Sequence, residues 1–213
     1  MFTGTLPAPA QKSLAVLGKS NCLPPQTYLA GGSGLALYLG HRISVDFDFF
    51  TPEHFNQETL AATLSEHGNF TTTSINPDTL LGVFDETKFS IFRYQYPLLF
   101  PTNDCQGIQV ADKQDIAAMK IAAVMDRGTK KDFIDLYFLA KDGITLADSL
   151  KLYDKKYGSL ASNAYSILKS LTYFVDAEES EMPKMLIPTD WGSVKEYFQT
   201  ETKKLAEDVF TSK

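Results

Sequence analysis

Apolar positions recur along this chain with two different periods, and the change falls near residue 112. Before it, short runs alternate with turns. Leu14 and Leu17 mark one side of a short helix over residues 10–20, broken by Pro24-Pro25. Thr27 to Ala30 reads as a short strand, followed at once by Gly31-Gly32-Ser33-Gly34 and a helix over 35–39 that stops at Gly40. Val45 to Phe50 is a strand, with Val45, Phe47 and Phe49 on its core face. Phe55, Leu60 and Leu64 predict a helix from Pro52 to His67. Four β-like runs follow, over 70–75, 80–84, 88–94 and 107–110, separated by Asn-Pro-Asp, Asp-Glu-Thr and proline-rich turns. From Asp112 the period is helical, with helices expected over 113–125, 130–141, 145–156, 160–174 and 190–209. Pro183 and Pro188 bracket an irregular link before the last of these. The proline-, threonine- and glycine-rich residues Met1 to Ala10 predict an arm. Strands and helices do not alternate regularly, which favours an α+β fold: an α/β core over residues 1–111, then a helical region over 112–213 packed on it.

Composition narrows the function classes. The chain has 213 residues, 44% hydrophobic and 22% charged, enough to bury a core without staples. Cys22 and Cys105 form no disulfide framework and no CxxC or Cys/His zinc pattern, so a reduced, cytoplasmic setting is expected. No apolar run reaches membrane-span length, and the N-terminus lacks a signal-peptide pattern, so no membrane role is expected. The formal net charge is −6, and residues 52–111 hold two basic against seven acidic side chains. An extended surface for duplex DNA is therefore not expected. A local basic cluster remains at Lys120, Arg127, Lys130 and Lys131.

Two segments carry chemistry. In Leu29-Ala30-Gly31-Gly32-Ser33-Gly34 a strand ends, glycines turn the backbone and Ser33 can cap the next helix. Backbone N–H groups there make an anion site; the alternative is a tight turn with a serine cap. In Val45-Asp46-Phe47-Asp48-Phe49-Phe50 the two aspartates point the same way, about 7 Å apart along the strand. Carboxylates so placed repel unless a cation sits between them, and aspartate is a poor strand former. Mg²⁺ suits such a pair, with phosphates completing its shell; the alternative is a solvated strand face.

Together these segments resemble the nucleotidyltransferase superfamily. Leu29-Ala30-Gly31-Gly32-Ser33-Gly34-Leu35-Ala36-Leu37 and Gly40-His41-Arg42-Ile43-Ser44-Val45-Asp46-Phe47-Asp48-Phe49-Phe50 are similar to segments of the AbiEii/AbiGii toxin family. So are Asp115-Ile116-Ala117-Ala118-Met119-Lys120 and Lys131-Asp132-Phe133-Ile134-Asp135-Leu136-Tyr137. The resemblance spans roughly residues 25–140. It implies a minimal nucleotidyltransferase fold, a mixed sheet with flanking helices and a helical C-terminal region. It also implies a Mg²⁺-dependent transfer of a nucleotide from an NTP to a hydroxyl acceptor such as tRNA or other RNA, and a cognate antitoxin as partner. On that basis Gly31, Gly32 and Ser33 hold phosphates, Asp46 and Asp48 hold metal, and Lys120 holds triphosphate.

Lys120 also has a physical case. It borders the stripe of Ile116, Met119 and Ala123, where a lysine either snorkels or is aimed at an anion. On the next helix Phe133, Leu136, Tyr137 and Ala140 make the buried stripe, with Asp132 and Asp135 off it. Asp132 follows Thr129 by three residues, an acidic variant of the capping box. That leaves Asp135 as the expected functional acid, orienting Lys120 or an incoming hydroxyl, against the alternative of a solvated helix residue. Arg42 could reach phosphate or RNA, or be a loop residue; His41, His54 and His67 have no metal-ligand spacing. Trp191 and its aromatic-rich helix are expected to pack on the body.

One departure stands out. Many nucleotidyltransferases carry a third carboxylate on a later strand, and Lys88 to Tyr94 has none; Asp85 and Glu86 precede it in a predicted turn. The same fold without turnover, binding nucleotide or an antitoxin, is therefore a second hypothesis. A small-molecule nucleotidyltransferase with a cationic acceptor is a third.

Overall fold

The computed structural model describes the backbone of residues 1–211 and the side chains of residues 1–207. It divides into two units, Met1–Asp112 and the residues from Lys113 onward.

The first unit is built on a mixed sheet. Its strands are β1 (Tyr28–Leu29), β2 (Asp46–Thr51), β3 (Phe70–Asn76), β4 (Thr79–Phe84), β5 (Thr87–Arg93), β6 (Asn103–Cys105) and β7 (Ile108–Val110), in the order β3-β4-β5-β2-β1-β7-β6. β2 lies near the middle, antiparallel to β1 and parallel to β5. Alternation places Phe47 and Phe49 of β2 on one face, with Leu29, Phe89 and Ile91 beside them. That face packs on Leu14 and Leu17 of α1 (Ala8–Ser20) and on Leu60 and Leu64 of α3 (Gln57–His67). All nine side chains are buried, and each contributes about 1.5–3 kcal/mol of apolar burial.

Several boundaries differ from the sequence expectation, each for a local reason. α3 starts at Gln57, not Pro52, because Asn56 caps it by accepting from Thr59 N at 2.8 Å. β6 has too few residues to register as a pattern, and two of its three are poor strand formers. The first ten residues are no loose arm: Thr3–Thr5 forms a 3₁₀ turn, Thr5 and Leu6 are buried, and the Thr5 carbonyl accepts from Ser44 N at 3.0 Å. Val45 precedes β2 and is 50% exposed, so it does not share the core face with Phe47 and Phe49. Asp85 and Glu86 do form the two-residue turn between β4 and β5, both with positive φ.

The second unit is helical: α4 (Lys113–Asp126), α5 (Lys130–Lys141), α6 (Leu146–Tyr157), α7 (Leu160–Ser170), α8 (Val175–Glu179) and α9 (Trp191–Thr211). The helix expected over 160–174 ends at Ser170, and α8 follows after a turn. α4 packs on α5, α6 and α7, and α5 on α8 and α9. Phe133 of α5 is the aromatic hub, with ring centroids of Phe198, Phe174 and Trp191 at 5.0, 5.1 and 6.0 Å. Lys156 of α6 donates to Asp115 of α4 at 2.8 Å with both side chains buried. Such a pair fixes which helix faces meet more than it adds stability.

The α+β class expected from the sequence is the class observed, a mixed sheet with flanking helices followed by helices alone.

Candidate active site

The strand β1 runs into α2 (Gly31–Leu39), so the glycines lie inside the first helical turn rather than ahead of it. Ala30 occupies the N-cap position without a capping side chain, and the first N–H groups of any helix lack carbonyl partners within it. Ser33 is not the cap the sequence suggested. It is buried at 1% exposure, its hydroxyl donates to the Asp46 carbonyl, and it shares a 2.9 Å hydrogen bond with Ser44 Oγ. The serine therefore ties the helix start to the entry of β2.

Asp46 and Asp48 share one face of β2, both half-buried, while Phe47 and Phe49 fill the other. Two close approaches set the glycine positions. A Cβ on Gly31 would lie 2.7 Å from Asp48 Oδ2, and Gly31 has φ +62°. A Cβ on Gly32 would lie 2.4 Å from Arg42 Nη2. Arg42 is thus no exposed loop residue; it is 3% exposed, with its guanidinium against the glycine turn. His41 beside it is fully buried. The structure gathers Gly31, Gly32, Ser33, Arg42, Asp46 and Asp48 into one place within the first unit, supported by Ser44.

The donor set fits a divalent cation. Asp46 Oδ1 is buried and takes no hydrogen bond among the described residues; Lys88 Nζ stands 4.0 Å away on a largely exposed side chain. A buried anionic oxygen in that condition is what a cation satisfies. Among the described residues no group of three or more His, Cys, Asp or Glu could hold a metal. Mg²⁺ needs no such cage when one or two carboxylates and nucleotide phosphates share it. The β5 register shows what stands where a third carboxylate could be: Lys88 lies beside Asp46 and Ser90 beside Asp48.

Gly31→Ala is expected to lower stability by about 1–2 kcal/mol through the left-handed backbone, and further through the contact with Asp48. Gly158 has nearly the same φ, +63°, but open space around it, so Gly158→Ala isolates the backbone contribution. Thermal unfolding of both variants checks this: equal losses would remove the case for a tight Gly31–Asp48 approach.

Within the second unit, Lys120 neither snorkels nor stands at a surface. It is 3% exposed, donating to Asp132 Oδ1 at 2.9 Å and pairing with Asp135 Oδ2 at 2.6 Å. Asp132 also accepts from Arg127 Nε and Nη2 at 3.0 and 3.1 Å, a bidentate grip, and from Thr129 Oγ1 at 2.6 Å. The capping box read from Thr129 and Asp132 is not formed, since Thr129 makes no side-chain cap bond. The equivalent Thr145 and Asp148 do form one at the start of α6, where no buried cation competes. Burial opposes the charge on Asp132, but Lys120, Arg127 and Thr129 outweigh it and hold the carboxyl well below the usual range. Asp135 is no solvated residue; it is fully buried, as is Asp132. Sequence periodicity had separated these two acids, one structural and one functional, whereas the structure puts both on the same lysine. Arg127, read only as part of a basic cluster, is the residue missed; its Arg-x-x-x-x-Asp spacing to Asp132 was the available signal.

A carboxylate pair on a central strand, set against a helix that begins in glycines, places the first unit among nucleotidyltransferase folds. The chain belongs to the family described as nucleotidyl transferase AbiEii toxin, type IV toxin–antitoxin system, whose sequence model matches residues 21–109 and 92–210. An uncharacterised protein of Aquifex aeolicus (strain VF5) is 41% identical over 186 residues, 85% of this chain and 88% of that one. Among solved structures, the nucleotidyltransferase toxin MenT4 of Mycobacterium tuberculosis H37Rv superposes with a TM-score of 0.54 at 16% identity, over 90% of this chain and 84% of that one. JHP933 of Helicobacter pylori does so with a TM-score of 0.53 at 19% identity, over 94% of each chain. At such identities the likeness is one of fold. No helix among the described residues is long and apolar enough to cross a membrane.

Proposed function

We propose that the protein transfers a nucleotidyl group from an NTP to a hydroxyl of RNA, tRNA included, with Mg²⁺ held by Asp46 and Asp48. The observation that carries this is the buried Asp46 Oδ1, without a hydrogen bond among the described residues, on the same strand face as Asp48 and beside the start of α2. The N–H groups of Gly31, Gly32 and Ser33 and the Arg42 guanidinium would receive phosphate oxygens. When bound, the ion would neutralise charge on those oxygens and on the entering hydroxyl. The acceptor oxygen bonds to the α-phosphorus, the bond to the β-phosphate oxygen breaks, pyrophosphate leaves and the hydroxyl proton passes to water. On the family resemblance Lys120 is proposed as a triphosphate ligand, a role that requires its ammonium to leave the buried pair it makes with Asp132 and Asp135. A cognate antitoxin is the protein partner that family membership supports.

The test is incubation of purified protein with Mg²⁺, total bacterial RNA and each of four α-labelled NTPs. Labelled RNA is expected with one preferred base. Nucleotide binding in calorimetry without labelled RNA would overturn the RNA-transfer reading. Labelling that persists when RNA is omitted would instead indicate a different acceptor. A second reading, a nucleotide-binding module without turnover, is favoured by one observation: Lys88 and Ser90, not carboxylates, flank the aspartate pair on β5.

A further inference from the structure

The face of the sheet that carries Asp46 and Asp48 continues, past Asp48, into aromatic rings. Phe50 is two residues further along β2, and its register neighbours on that face are Tyr28 of β1 and Phe92 of β5. The rings are contiguous: Tyr28 stacks on Phe50 at 5.9 Å, Phe92 lies 5.6 Å from Phe50, and Tyr94 meets Phe50 edge-on at 5.3 Å. Tyr96 then lies 5.3 Å from Tyr94 and is 47% exposed. Beside these rings opens a pocket of 440 Å³, lined among others by Tyr28, Tyr94 and Tyr96 and by Gln26, Gln95 and Gln109.

The lining identifies a ligand class. None of the eleven lining residues is charged, so the pocket suits neither a phosphate nor a metal ion. Its volume falls within the range of about 300–1,000 Å³ typical of small-molecule sites. Tyrosine rings offer stacking faces; Gln26 already donates to Glu53 and Gln109 is engaged by Thr102 and Asp104, which leaves Gln95 as the lining amide to meet a base edge with a donor and an acceptor together. Of the lining residues, Tyr28 pairs in register with Phe50 of β2, the strand that carries the carboxylates, and Pro52 follows the end of that strand, four residues beyond Asp48, about 14 Å at strand rise.

We propose that this pocket holds an unpaired nucleobase, stacked on Tyr94 and Tyr96, while its sugar-phosphate runs back towards Asp46 and Asp48. The inference rests on the nucleotidyl-transfer reading for its ligand class. The base comes from the end of the acceptor RNA or from the NTP, and the two sources are separable by experiment.

The experiment measures equilibrium binding of four probes to the full chain, without turnover: inorganic triphosphate, an NTP, a single-stranded RNA hexamer, and the same hexamer lacking its 3′-terminal base. Tyr96→Ala is compared with wild type, after circular dichroism has shown equal folding. Tyr96→Ala is expected to weaken a base-bearing probe about tenfold and to leave triphosphate unchanged. Loss confined to the intact hexamer assigns the pocket to the acceptor, and loss confined to the NTP assigns it to the donor. A 4-thiouridine placed in the affected probe should crosslink to the peptide carrying Tyr94 and Tyr96. Equal binding of every probe by wild type and Tyr96→Ala, crosslinks elsewhere, or no binding of any base-bearing probe to wild type would overturn the proposal. Asp48→Asn separates the two inferences. Unaltered transfer by that variant would refute the metal assignment yet leave the base pocket to stand or fall on Tyr96.

Discussion

Asp48→Asn is expected to reduce transfer of labelled nucleotide to RNA by about a thousandfold or more, with folding retained. Loss of one charge-stabilising group at a reacting phosphate commonly costs about 10²–10³ in rate, and a metal-bearing carboxylate belongs at the upper end. Asparagine keeps the shape of the side chain, so the close approach to Gly31 is preserved while the anionic oxygens are removed. Asp46→Asn should behave alike; it also lowers the charge at a buried oxygen that takes no hydrogen bond among the described residues, while losing the 4.0 Å ion pair with Lys88. The combination is diagnostic: a thermal midpoint equal to or above wild type, together with lost activity, marks residues kept for chemistry. Full activity in Asp48→Asn would sink the metal-site assignment, and a collapsed fold would show that Asp48 serves structure instead.

The second large effect lies in the helical unit. Lys120→Met is expected to cost about 3–5 kcal/mol, because it withdraws the ammonium from two fully buried carboxylates. The same cluster makes stability depend on acid. The Asp132 carboxyl is held well below the value of about 3.9 it has in an unfolded chain. A depressed folded value means the stabilisation is present above about pH 4 and fades as pH falls below it. Urea unfolding at pH 7 and pH 3 should therefore show a loss in wild type that Asp132→Asn, already less stable at pH 7, shows to a smaller degree. A Lys120→Met protein that unfolds at the wild-type urea midpoint would remove the cluster's structural role and leave only its chemistry to explain Lys120.

Local pattern was enough for much of this protein. The alternation of Asp46, Asp48 and Phe50 with Phe47 and Phe49 states which side of β2 is core, because a strand can place successive side chains only on opposite faces. The run of glycines after β1 states where the backbone must turn closely past a neighbour, and the change of period at residue 112 states where strands give way to helices. These are properties of a few consecutive residues, so they could be read directly.

The roles of individual polar residues could not, because each depends on a partner distant in the chain. Thr129 and Asp132 carry the same spacing as Thr145 and Asp148, yet only the latter pair caps a helix. Lys120 and Arg127 draw Asp132 away, and helical periodicity alone assigned Asp132 and Asp135 to the outside. Ser33 stands where a cap would be useful, but its hydroxyl is taken by Ser44 and the Asp46 carbonyl across eleven and thirteen residues. Thr5 supports the Ser44 segment from within what read as an arm. Hydrophobic period and turn chemistry, being local, determined the elements and the strand face that holds the aspartates. Which polar groups are buried, and against which charge, was decided by tertiary structure, because a buried polar group takes the best partner in space, not the nearest in sequence.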